Sequence, residues 1–503
     1  MNNCFSPLLK ISTFGFLFLL IFFPSPIQAQ TPPINVTLWF DTEDYILPQS
    51  DDAAKRLAEM LTRLGIKATF KVVGEKARVL EQRGRKDVIE ALKKHEIGYH
   101  SNLHSQHPTP AEYLQNTDWD EGVAEFYRRE LPGVKDIQRI FGQTPSCYGQ
   151  PGSSWGPQAY PALKKMGINV YLDEANHVGI DDQPFYYGGM LNIFKMRSNV
   201  IRMELFGENN LETGKAKFLA AYEKLKAKGG GTISIYYHPC EWVHQEFWDA
   251  VNFSRGANPA KKDWKLPKMR SREETEKAFQ DFEEYVKFIK VQNGVKYVTA
   301  NELVENYVDR SMNIVFNETD LSWLSQFVQK EITFHQPGSI SFSAADLFYL
   351  LTEATSQYLV TSKFQPIRLL PMSGPIRNSE PNTAKAKISK IKWETFSKIV
   401  LDTSNYCRMN IRIPSEIKIG ADSISPQDFL ATLGGFVDII LKKEPKPEFI
   451  EIKKGNFTAD KYVADDDPKI FNWVIHPEGF HAPKLMELAK LQAWTLKPAV
   501  MKK

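Results

Sequence analysis

Between Asn35 and about Tyr307, short β-rich runs alternate with amphipathic helical stretches, and few architectures accommodate that order. VTLWFD (Val36 to Asp41) has the β-branched and aromatic content of a strand, and ATFKVV (Ala68 to Val73) repeats it. Between them Leu57, Met60, Leu61 and Leu64 share one helical face, and Gly65 supplies a stop signal. Val88 to Lys94 reads as the next helix. Further strands are expected at Ile97 to Tyr99, Asn169 to Leu172, Thr232 to Tyr237 and Lys296 to Thr299. Phe279, Phe282, Tyr285, Phe288 and Ile289 form the inner face of a long helix before the last of these. Strands alternating with helical crossovers run parallel, so the fold class is α/β: a barrel or a doubly wound sheet.

The two ends of the chain differ from this middle. Lys10 precedes an unbroken apolar run, Phe14 to Phe23, which is followed by Pro24, Pro26 and a small residue at Ala29. Residues 1–29 therefore have the layout of a secretory signal peptide, with an apolar run shorter than the ~20 residues of a membrane span. Export to the periplasm or the cell exterior is expected. With 63 basic and 60 acidic residues, no basic domain signals a nucleic-acid partner, and none is expected. Cys147, Cys240 and Cys407 follow the leader, too few for a disulfide scaffold.

The alternation gives a first domain at 30–309. From 310 to 503 helical patterns alternate with Pro-bearing irregular stretches, which predicts a mostly helical accessory region. SFSAADLFYLL begins at Ser341 and SISPQDFLATL at Ser423, each running on to a Pro-bearing linker and a short Ile-containing strand. This suggests a two-copy repeat near 341–371 and 423–453, with Ser343 and Ser425 as N-caps, or simply two unrelated capped helices. The expected role of this region is packing, or attachment to a cell wall or polysaccharide.

Three constellations can carry chemistry. VTLWFD ends in Asp41-Thr42-Glu43-Asp44, three carboxylates at the C-terminal end of a strand, where barrel enzymes build their sites. A solvated acidic turn is the plainer reading. HEIGYHSNLHSQH holds His95, His100, His104 and His107; His100 and His104, four apart, can offer two nitrogens to one ion. Surface histidines on a loop are the alternative. TISIYYHPCEW delivers His238 at the end of a buried-type strand.

Taken in order, strand-FDTED, HEIGYHSNLH, GQPGSSW and strand-YHP resemble the polysaccharide deacetylase family, the NodB-type homology domain of carbohydrate esterases, over roughly residues 35–307. The resemblance implies an irregular (β/α) barrel that removes N-acetyl groups from amino sugars. Carried over, Asp41 matches the general base, His100 and His104 the metal ligands, and His238 the acid that protonates the leaving amine. Asp44 is the expected carboxylate ligand. Glu43 is its rival, because two extra residues follow the base. The implied cofactor is one divalent metal, zinc by preference, with cobalt or nickel admitted; the implied partner is an N-acetylated glycan. The family's third motif carries an Arg that orients the base, and here Tyr148-Gly149-Gln150-Pro151-Gly152 has none. Gln150 and Pro151 remain as substrate-side candidates, Asp173 as a supporting carboxylate near His238, and Trp242 as an aromatic wall or a core residue. The missing Arg leaves two alternatives: a catalytically silent carbohydrate-binding protein, or a hydrolase of non-sugar amides.

Overall fold

The computed structural model describes residues 32–180, 182–378 and 388–502; the expected signal peptide lies outside them. The strands of its main sheet are β1 (Ile34–Thr42), β2 (Thr69–Val72), β3 (Glu96–Tyr99), β4 (Cys147–Tyr148), β5 (Val170–Leu172), β6 (Phe185–Tyr187), β7 (Met190–Ile193), β8 (Gly231–Tyr237), β9 (Val295–Tyr297) and β10 (Lys497–Pro498). They lie in the order β10-β6-β7-β5-β4-β3-β2-β1-β8, with β9 beside the start of β1. From β8 to β7 every pairing is parallel; β6 and β10 add antiparallel at the far edge. The expected irregular barrel is thus a half-barrel: the sheet curls but β8 and β10 remain its ends.

All nine residues of β1 are buried, the polar Asn35, Thr37, Asp41 and Thr42 included, so both faces of the strand are covered. Its outer cover includes the helices Gln49–Arg63 and Arg272–Lys290, whose Leu57, Leu61, Phe282 and Ile289 enter one core with Phe40 and Phe70. The long helix starts cleanly because Ser271 and Glu274 form a reciprocal capping box. Observed strands lie within two residues of the expected ones. The short strands β4, β6, β7 and β10 were not expected.

Residues after 310 are mainly helical. Helix Ala344–Thr361 packs on Trp393–Asn410, and Glu318–Lys330 on Pro426–Leu441, around a separate apolar core. Ser343 and Ser425 each accept a hydrogen bond from the backbone N–H three residues on, as N-caps do. The end of the chain does not stay apart from the first domain. Val463, Phe471, Leu485, Met486 and Leu496 join the half-barrel core, and β10 pairs with β6. Residues 310–503 are therefore not a wholly detached accessory region, because their last stretch supplies apolar surface that the half-barrel buries. Cys147, Cys240 and Cys407 are all free and buried. Among the described residues no helix is long and apolar enough to cross a membrane.

Candidate active site

The C-terminal ends of β1, β3 and β8 deliver Asp41, His100 and His238 to one mouth, a cavity of about 710 Å³. Glu43 follows on the turn after β1, and His104 on the turn after β3, held at a positive φ of 53° that few non-glycine residues adopt. Glu43 Oε2 lies 3.2 Å from His100 Nε2 and 2.9 Å from His104 Nε2, and the two imidazole nitrogens are 3.2 Å apart. His100 Nδ1 faces the Gly149 carbonyl oxygen at 3.0 Å. That oxygen can only accept, so Nδ1 carries a proton and Nε2 is the nitrogen turned toward Glu43 and His104. Ser105 Oγ engages His104 Nδ1 at 2.7 Å, and Trp248 Nε1 donates to the other oxygen of Glu43 at 3.0 Å. Electron-rich atoms converging in a dry pocket repel one another unless a cation sits among them, and outer contacts of this kind are what hold metal ligands in place. The residues fit a divalent metal.

Asp44 lies elsewhere. Its Oδ1 accepts backbone N–H bonds from Ile46 and Leu47 at 2.9 and 3.0 Å, so its carboxylate turns into the wall while Glu43 takes the place expected of it. The two extra residues in the motif explain the exchange: the chain turns after Thr42, and the next acidic side chain to face the histidines is Glu43.

The group that steadies Asp41 is Lys71, from the middle of β2. Its Nζ lies 2.9 Å from Asp41 Oδ1 and 2.9 Å from Asp173 Oδ2, and donates to the Leu172 carbonyl at 2.8 Å. Trp39 presents its ring 4.0 Å away. The ammonium is wholly buried; burial pulls its pKa down, and Asp173 and Asp41 more than reverse that. The cradle needs Gly149, since a Cβ there would stand 2.0 Å from Lys71 Nζ. Lys71 is the cation beside Asp41, in a site whose Tyr148-Gly149-Gln150-Pro151-Gly152 stretch has no Arg. It also corrects the expectation for Asp173, which pairs with Lys71 rather than supporting His238.

The carboxylate on His238 is Glu241, three residues on, with Oε1 at 2.5 Å from Nδ1 and Oε2 at 2.5 Å from Arg202 Nη2. Burial disfavours the imidazolium, but Glu43, Glu241 and Asp41 outweigh it and lift His238 to about 9. His238 Nε2 stands 3.6 Å from Asp41 Oδ2. Glu43 is held well below the usual carboxylate range: burial would raise it, and His104, His238 and His100 reverse that.

Of the remaining expectations, Gln150 lines the cavity, with its Nε2 on the Gly152 carbonyl at 3.1 Å, and Pro151 is buried beside it. Trp242 is not an open aromatic wall: it is fully buried against Phe40, Phe279 and Phe282. Tyr236, Phe247 and Trp473 are the aromatic residues lining the mouth among the described residues, and Trp473 comes from the far end of the sequence. Its Nε1 donates to Asp249 Oδ2 at 2.8 Å, its backbone N–H to Ser153 Oγ at 3.0 Å, and its ring stands edge-on to His104. Gly152 leaves room for it; a Cβ there would meet the indole at 2.1 Å. No sequence signal marked Trp473, whereas a lysine centred in an apolar strand could have marked Lys71.

Residues 28–171 match the family model described as "Polysaccharide deacetylase". No curated protein matches in sequence. Among solved structures the chain is similar to a putative polysaccharide deacetylase from Mycobacterium smegmatis, at 14% identity and a TM-score of 0.37, covering 55% of this chain and 91% of that one. It is similar to a probable polysaccharide deacetylase from Pseudomonas aeruginosa PAO1, at 13% identity and a TM-score of 0.36, covering 55% and 91%. It is also similar to a CE4 family pseudoenzyme from Bacillus anthracis, at 15% identity and a TM-score of 0.25, covering 42% and 56%.

Proposed function

We propose, from the family match over residues 28–171 and the geometry of the mouth, that this chain is a metal-dependent hydrolase removing N-acetyl groups from an amino-sugar polymer or oligomer. The observation that carries the reading is the convergence of Glu43, His100 and His104 beside Asp41 and His238 in one cavity. Glu43, His100 and His104 would hold the divalent cation, zinc by donor type with cobalt or nickel admitted. When bound, it supplies Lewis acidity toward the amide carbonyl and toward water.

Everything else is the work of side chains. Asp41, paired with Lys71 and fixed in direction by it, accepts a proton from the attacking water. His238, held as imidazolium by Glu43, Glu241 and Asp41, gives a proton to the departing nitrogen, so that the C–N bond breaks to acetate and a free amine. With 3.6 Å between Asp41 and His238, the captured proton can return to the ring and reset the pair. Trp473 supplies an apolar wall on which a sugar face can rest.

Acetate release from N-acetylglucosamine oligomers, abolished by chelator and restored by zinc, is the expected result. Binding without acetate release would favour the silent carbohydrate-binding protein, and release only from non-sugar amides the other hydrolase. We place the mature chain outside the cytoplasm after cleavage near Ala29, checked by N-terminal sequencing of exported protein. The helical layer after 310 is proposed to attach to polymer, checked by pull-down on insoluble glycan.

A further inference from the structure

Behind the catalytic mouth, β1 and β8 end side by side, and the turns that leave them bring a second set of donors together. Asp44 leaves β1. Cys240 and His244 sit on the turn after β8, where the His244 N–H donates to the Cys240 carbonyl at 3.1 Å and sets both side chains on one side of a helical turn. A carboxylate oxygen, the Cys240 sulfur and a ring nitrogen of His244 lie within 4.8 Å of one another, and all three residues are at most 2% exposed. We propose that Asp44, Cys240 and His244 form a second metal site, which takes a zinc-type divalent cation through one oxygen, one sulfur and one nitrogen.

Three observations lead there. Asp44 Oδ2 and His244 Nε2 are sealed from solvent and have no hydrogen-bond partner, although nearly all buried polar atoms in folded proteins have one. Asp44 is half used: Oδ1 is fixed by the Ile46 and Leu47 N–H groups, which aims the remaining oxygen. The charge also closes. A divalent cation balances one carboxylate and one thiolate, and the nearby Lys76 ammonium pairs with Asp51 at 2.5 Å and meets Asp44 at its backbone carbonyl oxygen, giving no hydrogen bond to Oδ2. Thiolate, imidazole and carboxylate are the donor types zinc takes in proteins. On loading, the Cys240 thiol gives its proton to solvent as the sulfur–metal bond forms, and no redox partner is involved.

This centre shares no residue with the Glu43, His100 and His104 set and does not depend on the hydrolase reading. It differs from that set in containing sulfur, and this gives the test. Metal-free full-length protein is titrated with cobalt(II) chloride and followed by absorption. About two equivalents should bind, and only one should bring the intense near-ultraviolet band of thiolate-to-cobalt charge transfer. Cys240→Ser should abolish the band and leave one equivalent. His244→Asn should weaken it. His100→Ala with His104→Ala should do the converse, keeping the band while losing the other equivalent. Wild-type protein that binds without any charge-transfer band, as an ordered water in the cluster would produce, overturns the proposal. So does a band that survives in Cys240→Ser, which would place it at Cys147 or Cys407. Loss of the catalytic set alone would count against the hydrolase and leave this centre standing.

Discussion

Lys71→Met tests the electrostatics of the mouth at a single atom. In the native site two buried carboxylates share one ammonium, each 2.9 Å from Nζ. Methionine keeps the apolar stem and removes the charge, so Asp41 and Asp173 face each other uncompensated. Breaking one side of a buried pair costs about 3–5 kcal/mol, chiefly because the abandoned charge stays desolvated. Burial already raises Asp173 to about 7 beside Lys71, and without the ammonium its folded-state pKa rises further above the unfolded value of about 3.9. A carboxylate raised in this way destabilises the fold above its folded pKa, and the penalty fades as the pH falls and the group takes a proton. The urea midpoint of Lys71→Met should therefore drop strongly at pH 8 and much less at pH 5. Adding Asp173→Asn removes one of the two abandoned charges and should recover much of the loss. In kinetics, Asp41 loses the ammonium that fixes its direction, and the rate should fall about 100- to 10,000-fold. A penalty equal at both pH values, no recovery in the double variant, or an unchanged rate would refute the assignment of Lys71.

Elemental analysis should find His100→Ala and Glu43→Gln each short of one metal equivalent, while Asp44→Asn keeps the ion held by His100. His238→Ala should lower kcat by about 100- to 10,000-fold at unchanged occupancy of that site. In the native protein the acid form of His238 is lost as the pH rises through about 9, so the alkaline limb should be centred near there, lower when metal offsets Glu43. Trp473→Ala should raise KM for oligomers roughly 2- to 10-fold, the equivalent of an aromatic contact of about 0.5–1.5 kcal/mol, with kcat nearly kept. A chain ending at Arg310 loses both Trp473 and the apolar groups from Val463 to Leu496 that complete the half-barrel core, and should be poorly soluble and inactive; a folded, active truncation would contradict the shared core.

The parallel strands and their helical cover were legible because burial on both faces leaves continuous apolar runs such as VTLWF, and because caps such as Ser271 mark where helices begin. The convergence of Asp41, His100 and His238 was legible because each sits at or next to a strand end within a recognisable order. Three things were not. Two-residue strands such as β4 and β10 are too short to show a period. Choosing Glu43 over Asp44 requires the turn geometry that spends Asp44 on the Ile46 and Leu47 amides. Lys71 and Trp473 act across the fold, at sequence separations where no local spacing rule applies.

The late return of the chain has a consequence for biosynthesis. Tyr187 gives its hydroxyl hydrogen bond to the carbonyl of Ala489, 302 residues later, and β6 has no partner on that side until β10 arrives. At about 5–20 residues per second a ribosome needs roughly 15–60 s to make that interval. Throughout it the nascent half-barrel shows a bare strand edge and an uncovered apolar face, the surfaces that invite wrong pairing and call for a holdase. The indole that walls the mouth is made late in the same interval, so a chain released before Trp473 would lack this wall.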